Sequence, residues 1–176
     1  MYGIPHIATG DMIREMKELP NDVGRELKAV YDRGDLVSDD LMIRLIRARL
    51  SRGDTLGGFV LDGFPRTMPQ AEALYELLRE LGRDLDVVFD FQVSGREVLL
   101  QRLLGRAAAE GRSDDTPEAI ERRLELYERE TAPLVEYYRS HQANVVGVHA
   151  DRSVDEVFRE IDDALAETQR HRKVEA

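Results

Sequence analysis

Apolar residues recur at helical spacing in several stretches of the chain and run unbroken in four shorter ones. Leu41, Met42, Leu45, Ile46 and Leu50 share one helical face, with Arg44 and Arg47 on another. Ala71, Leu74, Leu77, Leu78 and Leu81 form a second face, ended by Gly82. Val98, Leu99, Arg102 and Leu103 belong to a third helix. Residues 117–138 read as one long helical stretch, opened by Asp114, Asp115 and Thr116 and bent or interrupted at Pro133. Val154, Val157, Phe158, Ile161 and Leu165 define a last amphipathic helix, with a polar, frayed tail over 167–176. Near the start, Thr9-Gly10-Asp11 reads as a sharp turn before a helix over 12–18. The unbroken apolar runs are 4–7, 59–61, 87–93 and 145–148, short and bounded by turn residues, as buried strands are. Strands alternating with helices predict an α/β fold with a parallel sheet covered on both faces. Ligands of such sheets lie at the carboxyl ends of the strands.

A length of 176 residues suits one domain. Hydrophobic residues at 42% and charged residues at 34% are an ordinary globular balance. No apolar run approaches the ~20 residues of a membrane span, and no basic-then-apolar leader is seen, so the expected setting is the cytoplasm, away from membranes. Cysteine is absent, which excludes disulfides and thiolate zinc sites. The net charge of −10 argues against nucleic-acid binding by bulk charge. Lys17, Lys28 and Lys173 are the only lysines; every other cation of this kind is arginine, the side chain suited to a planar grip on phosphate.

Gly58 to Gln70, GFVLDGFPRTMPQ, is the most informative stretch. Phe59-Val60-Leu61 delivers Asp62 to the end of a strand, where a carboxylate can hold Mg²⁺ directly or through water. Gly63 allows a turn or a close approach, Pro65 stiffens it, and Arg66 is held on the resulting loop. In ATGDMIR, the Thr9 hydroxyl can bond a base or cap a helix, and Arg14 lies one helical turn past Gly10. GDLVSDDL reads as a helix start capped at Ser38 with Asp39 and Asp40. Arg102, Arg106, Arg112, Arg122 and Arg123 are spread over two helices and the loop between them, where arginines can close on a polyphosphate or merely form ion pairs. His6 reads as packed or hydrogen-bonded, and the histidines show no metal-ligand spacing.

Together, YGIPHIATGDMIR, RGDLVSDDL, GFVLDGFPRTMPQAEAL, QRLLGR, GRSDDTPEAIERRLELY and TAPLVEYY resemble the adenylate kinases, in order and over nearly the whole chain. The resemblance implies a three-layer P-loop-kinase-like α/β domain, an AMP-binding subdomain over about 8–37, a short lid over about 106–115, and reversible phosphoryl transfer from ATP to AMP with Mg²⁺. It implies that Thr9 meets the adenine of AMP and disfavours a UMP/CMP kinase. Arg14 and Arg66 would hold the AMP phosphate, with Asp35, Leu36, Val37, Gly63, Phe64, Pro65 and Gln70 around the AMP pocket. Arg106, Arg112 and Arg123 would clamp phosphates, Arg102 and Arg152 would lie beside the ATP base, and Asp62 would orient magnesium through water. Zinc is not implied.

Three departures stand out. Asp35 occupies a position that is commonly basic or neutral in the family, and Ala150 replaces a usual glycine near Arg152. The family's first, central strand and its GxxxxGK P-loop would precede Tyr2, and no GxxxxGK occurs in these residues. One expectation is therefore a longer, monomeric kinase of which Met1 is an internal residue. The other is a non-catalytic AMP-binding or interaction module. In either case these 176 residues alone are expected to lack turnover, and to fold poorly or self-associate through two strand pairs with unpaired inner edges.

Overall fold

The computed structural model of the chain describes residues 2–110 and 115–175. Strand β1 (His6–Ala8) runs into helix α1 (Thr9–Lys17), followed by α2 (Asp22–Asp32), α3 (Asp39–Leu50), β2 (Val60–Asp62) and α4 (Met68–Glu80). The second half holds β3 (Val88–Gln92), α5 (Arg96–Glu110), α6 (Pro117–Leu126), α7 (Leu134–Ser140), β4 (Val145–His149) and α8 (Val154–Glu175). β1 pairs in parallel with β2, with Ile7 opposite Leu61, and β3 pairs in parallel with β4, with Phe89 opposite Val146. The strands are thus present as two separate two-stranded sheets, the two strand pairs expected of these residues, rather than as one continuous sheet. Val60 and Phe91 show why this matters, since they are 48% and 52% exposed on strands that read as buried.

The main core forms where the predicted helical faces meet. Met42, Ile46 and Leu50 of α3 pack with Leu74, Leu77 and Leu78 of α4 and with Ile7 of β1. Ile46 is fully buried. A smaller cluster joins Ala71 of α4 to Leu134 and Tyr138 of α7. It continues as a cluster of the Tyr75, Tyr137 and Tyr138 rings, packed tilted and edge to face.

Two local expectations are corrected, one helix is present that the pattern does not predict, and the interruption expected at Pro133 is found just before it. Thr9-Gly10-Asp11 is the first turn of α1, not a turn before it: extended Ala8 precedes the helix and Asp11 lies at its positive end. Helix α2, whose Asn21 side chain accepts a hydrogen bond from the Gly24 amide, was not expected from the pattern. The long stretch over 117–138 is interrupted by a π-helical turn, Tyr127–Thr131, before α7 restarts after Pro133. The polar tail is helical to Glu175, a stretch rich in good helix formers that Thr168 helps to fix by accepting a hydrogen bond from the Asn144 side chain.

Candidate active site

The carboxyl ends of β1 and β2 meet through one buried hydroxyl. Thr9 is 2% exposed, and its hydroxyl donates to the carbonyls of Asp62 (3.2 Å) and Gly63 (3.0 Å). Gly63 has φ +74°, and a Cβ there would lie 2.8 Å from the Thr9 oxygen, so both conformation and space require glycine. The chain then passes through Phe64-Pro65 to Arg66. The Arg66 backbone N–H donates to Gln70 Oε1 (2.8 Å), its Nε donates to the Gly63 carbonyl (2.9 Å), and its own carbonyl accepts from Thr131 (2.9 Å). Asp39, at the start of α3, fixes this loop from the other side. One of its carboxylate oxygens accepts from both Gln70 Nε2 (2.7 Å) and the Thr67 hydroxyl (2.9 Å).

Arginines from three helices gather near this loop. Arg14 of α1 donates to the Tyr31 hydroxyl (2.8 Å) and pairs with Asp11. Arg123 of α6 donates to the Tyr31 carbonyl (3.3 Å) and lies 5.1 Å from the Tyr31 ring centre. Arg106 of α5 and Arg123 both bind Asp115, the former at 3.0 Å, and the Asp115 side chain is fully buried between them. The buried Arg106 Nε has no hydrogen-bond partner among the described residues. Burial pushes the pKa of Arg66 down; the positive charges of Arg123 and Arg106 add to this, while Tyr31 and Asp62 oppose it. Within a chain of net charge −10, this is a local concentration of guanidiniums with an unspent donor. Such an arrangement fits a multiply charged, oxygen-rich anion.

The remaining expected residues divide into groups. Val37 is buried and Leu36 partly so, next to Asp35, which binds Arg33 and Arg122. Arg102 donates to the Ala150 carbonyl, and Ser94 donates to Asp151, so α5 meets the loop after β4 that carries the exposed Arg152. Asp62 shares a 3.0 Å hydrogen bond with His6, which is hydrogen-bonded as the sequence suggested. Arg112 lies outside the described residues, which leave out 111–114 of the expected lid. Tyr31, Asp39 and Asp115 are the site-forming residues that the sequence did not single out. Asp115 reads as a cap, but the hydroxyl of Thr116 caps α6, leaving Asp115 to turn inward.

Parallel strand pairs whose ends carry a glycine turn and a convergent arginine cluster make this an α/β protein with a site suited to a phosphate-bearing anion. The adenylate kinase family model matches residues 1–143. The adenylate kinase of Xanthomonas euvesicatoria pv. vesicatoria (strain 85-10) is 45% identical over 166 residues, covering 93% of this chain and 87% of that protein. That of Stenotrophomonas maltophilia (strain R551-3) is 45% identical over 148 residues, covering 83% and 79%. The chain belongs to the adenylate kinase family, a family of nucleoside monophosphate kinases. No helix among the described residues is long and apolar enough to cross a membrane.

Proposed function

We propose that the protein transfers the terminal phosphoryl group of ATP to AMP, giving two ADP, reversibly and in the cytoplasm. The observation that carries this is the buried Asp115 carboxylate shared by Arg106 and Arg123, with the buried Arg66 close by and the Arg106 Nε donor without a partner among the described residues. Arg14 and Arg66 hold the AMP phosphate. Arg106, Arg112 and Arg123 neutralise charge on the group in transit. Thr9, through its oxygen lone pairs, forms the base pocket with Asp35, Leu36, Val37, Gly63, Phe64, Pro65 and Gln70. Arg102 and Arg152 flank the ATP base. The AMP-binding subdomain spans about 8–37 and the lid about 106–115.

No group of three or more acidic or histidine side chains that could hold a metal occurs among the described residues. Asp62 supplies one exposed carboxylate at the end of β2. That donor set fits Mg²⁺, which keeps its waters and is held by one carboxylate and the nucleotide's phosphates. The ion, when bound, supplies charge neutralisation between the phosphates.

These 176 residues contain no GxxxxGK, and backbone cradling of ATP by such a loop is central to positioning. AMP binding without turnover is therefore the second reading for these residues alone. Calorimetric titration with AMP, UMP and CMP, run beside a coupled ADP assay, separates the readings. The expected result is saturable binding with AMP preferred, and turnover at least ~10³-fold below the ~1–100 s⁻¹ usual for kinases. A folded chain that ignores AMP would overturn the assignment, and turnover in the usual range would remove the need for a GxxxxGK loop.

β2 and β3 each pair on one side only, and Val60 and Phe91 on them are exposed. We propose that the chain alone self-associates along these edges, and that a form with both edges covered is a monomer. Sedimentation should show multiples of 20.1 kDa that grow with concentration. A single 20.1 kDa species at every concentration would rule this out.

A further inference from the structure

Asp35 lies in the turn between α2 and α3, and its two carboxylate oxygens are taken by different arginines. Oδ2 accepts from Arg33 Nε at 3.1 Å, and Oδ1 accepts from Arg122 Nε on α6 at 3.0 Å, across 87 residues of sequence. Arg122 also reaches Glu125 on its own helix at 3.4 Å. Beneath this pair the backbones touch. Gly34 is buried with φ +78°, and a Cβ there would lie 2.5 Å from the Ala119 carbonyl in the first turn of α6. One residue beyond Arg122, Arg123 reaches back to the Tyr31 carbonyl of α2 at 3.3 Å.

Consecutive arginines on α6 therefore do different jobs. Arg123 enters the phosphate cluster through Asp115, whereas Arg122 grips the turn that continues into Leu36 and Val37. A basic residue at position 35 would repel Arg122, and a neutral one would leave it without this partner.

We propose that Asp35 and Arg122 form a latch that holds the α1–α2 wing docked on α6 and so sets the position of the base-pocket wall at Leu36 and Val37. The consequence for AMP rests on the function proposed above; the latch itself does not. Both residues position the pocket and neither touches the transferred group. A wing biased towards docking lowers the conformational cost of nucleotide binding. The pair is partly exposed, with side chains 31% and 43% accessible, so its effect is modest and sensitive to salt.

The chain has no cysteine, so two introduced ones, Ala29→Cys on α2 and Glu118→Cys on α6, can carry spin labels without background. Both positions are exposed. Pulsed dipolar distance measurement on the labelled full chain should give one short population. Arg122→Gln should raise the ratio of a longer, undocked population to the docked one about 2–5-fold, and Arg122→Glu should raise it further. Arg122→Lys and the exchanged pair Asp35→Arg with Arg122→Asp should restore the short population. Gly34→Ala, which wedges the backbone contact, should also undock the wing. The AMP dissociation constant should rise with the undocked fraction in Arg122→Gln, by the same ~2–5-fold or less. Distances that stay short in both Arg122→Gln and Arg122→Glu, whatever Gly34→Ala does, would overturn the latch. A parent chain that fails to bind AMP would instead overturn the nucleotide assignment, leaving the distances to decide the latch.

Discussion

Arg66→Ala is expected to abolish most AMP binding while leaving the unfolding free energy unchanged or higher. The two effects separate because Arg66 is poorly placed for stability. Burial first, then the neighbouring Arg123 and Arg106, hold its pKa below the usual arginine value. A base whose folded pKa is depressed is charged at a cost to the folded state at every pH below that pKa, neutral pH included. Deletion removes that cost and forfeits the bond from Nε to the Gly63 carbonyl, worth about 1 kcal/mol. For an AMP phosphate, the same guanidinium supplies two charge-assisted bonds of about 1.5–3 kcal/mol each, so affinity should fall about 10²-fold or more. Arg66→Lys should recover little, because an ammonium lacks the planar fork. Titration calorimetry and urea unfolding on one preparation decide the matter. A large loss of stability with AMP affinity intact would make Arg66 a structural residue.

Asp115→Asn should do the opposite. Its carboxylate is fully buried, while Arg106 and Arg123 keep 39% and 22% of their side-chain surface. Removing one partner of a buried ion pair costs about 3–5 kcal/mol when the others are left dry; here the arginines retain water, so about 2–3 kcal/mol is expected. The change also leaves the Arg106 and Arg123 guanidiniums without their shared anion, beside the buried Arg66. Added inorganic phosphate should therefore stabilise the variant more than the parent, because it replaces the missing negative charge. A urea midpoint indistinguishable from the parent's would show that Asp115 does not hold the cluster together.

Much of this site is legible in DGFPRT. A strand-end aspartate, a glycine that turns and a proline-stiffened arginine each have one local physical meaning, and Gly63 and Arg66 play those parts. The four strands are found within about two residues of the apolar runs, because short β-branched runs between turns have few other uses. Helix α2 is harder to see. Gly24 lowers its intrinsic propensity, yet glycine is needed where the helix start crowds the Leu19 carbonyl. Asp115 was masked by a better-known role, since an acidic residue before Thr-Pro looks like part of a cap. Arg122 and Arg123 look alike in the sequence, and only the ~100° that separates neighbours on a helix assigns one to the cluster and the other to Asp35.

The two strand pairs have a consequence for how the molecule behaves as a whole. His6 aligns with Val60 and Val88 with Val145, so each half closes its own long loop, and among the described residues no strand hydrogen bond joins the halves. What couples them includes the tyrosine cluster around Tyr138, Thr131 on the Arg66 carbonyl, the arginines of α6 on Tyr31 and Asp35, and the close backbone approach of Gly34 to Ala119. Each half is then a cooperative unit of its own, able to open while the other persists. An anion seated among Arg14, Arg66, Arg106 and Arg123 bridges residues from both halves, and acts as a non-covalent crosslink that makes two unfolding units behave as one.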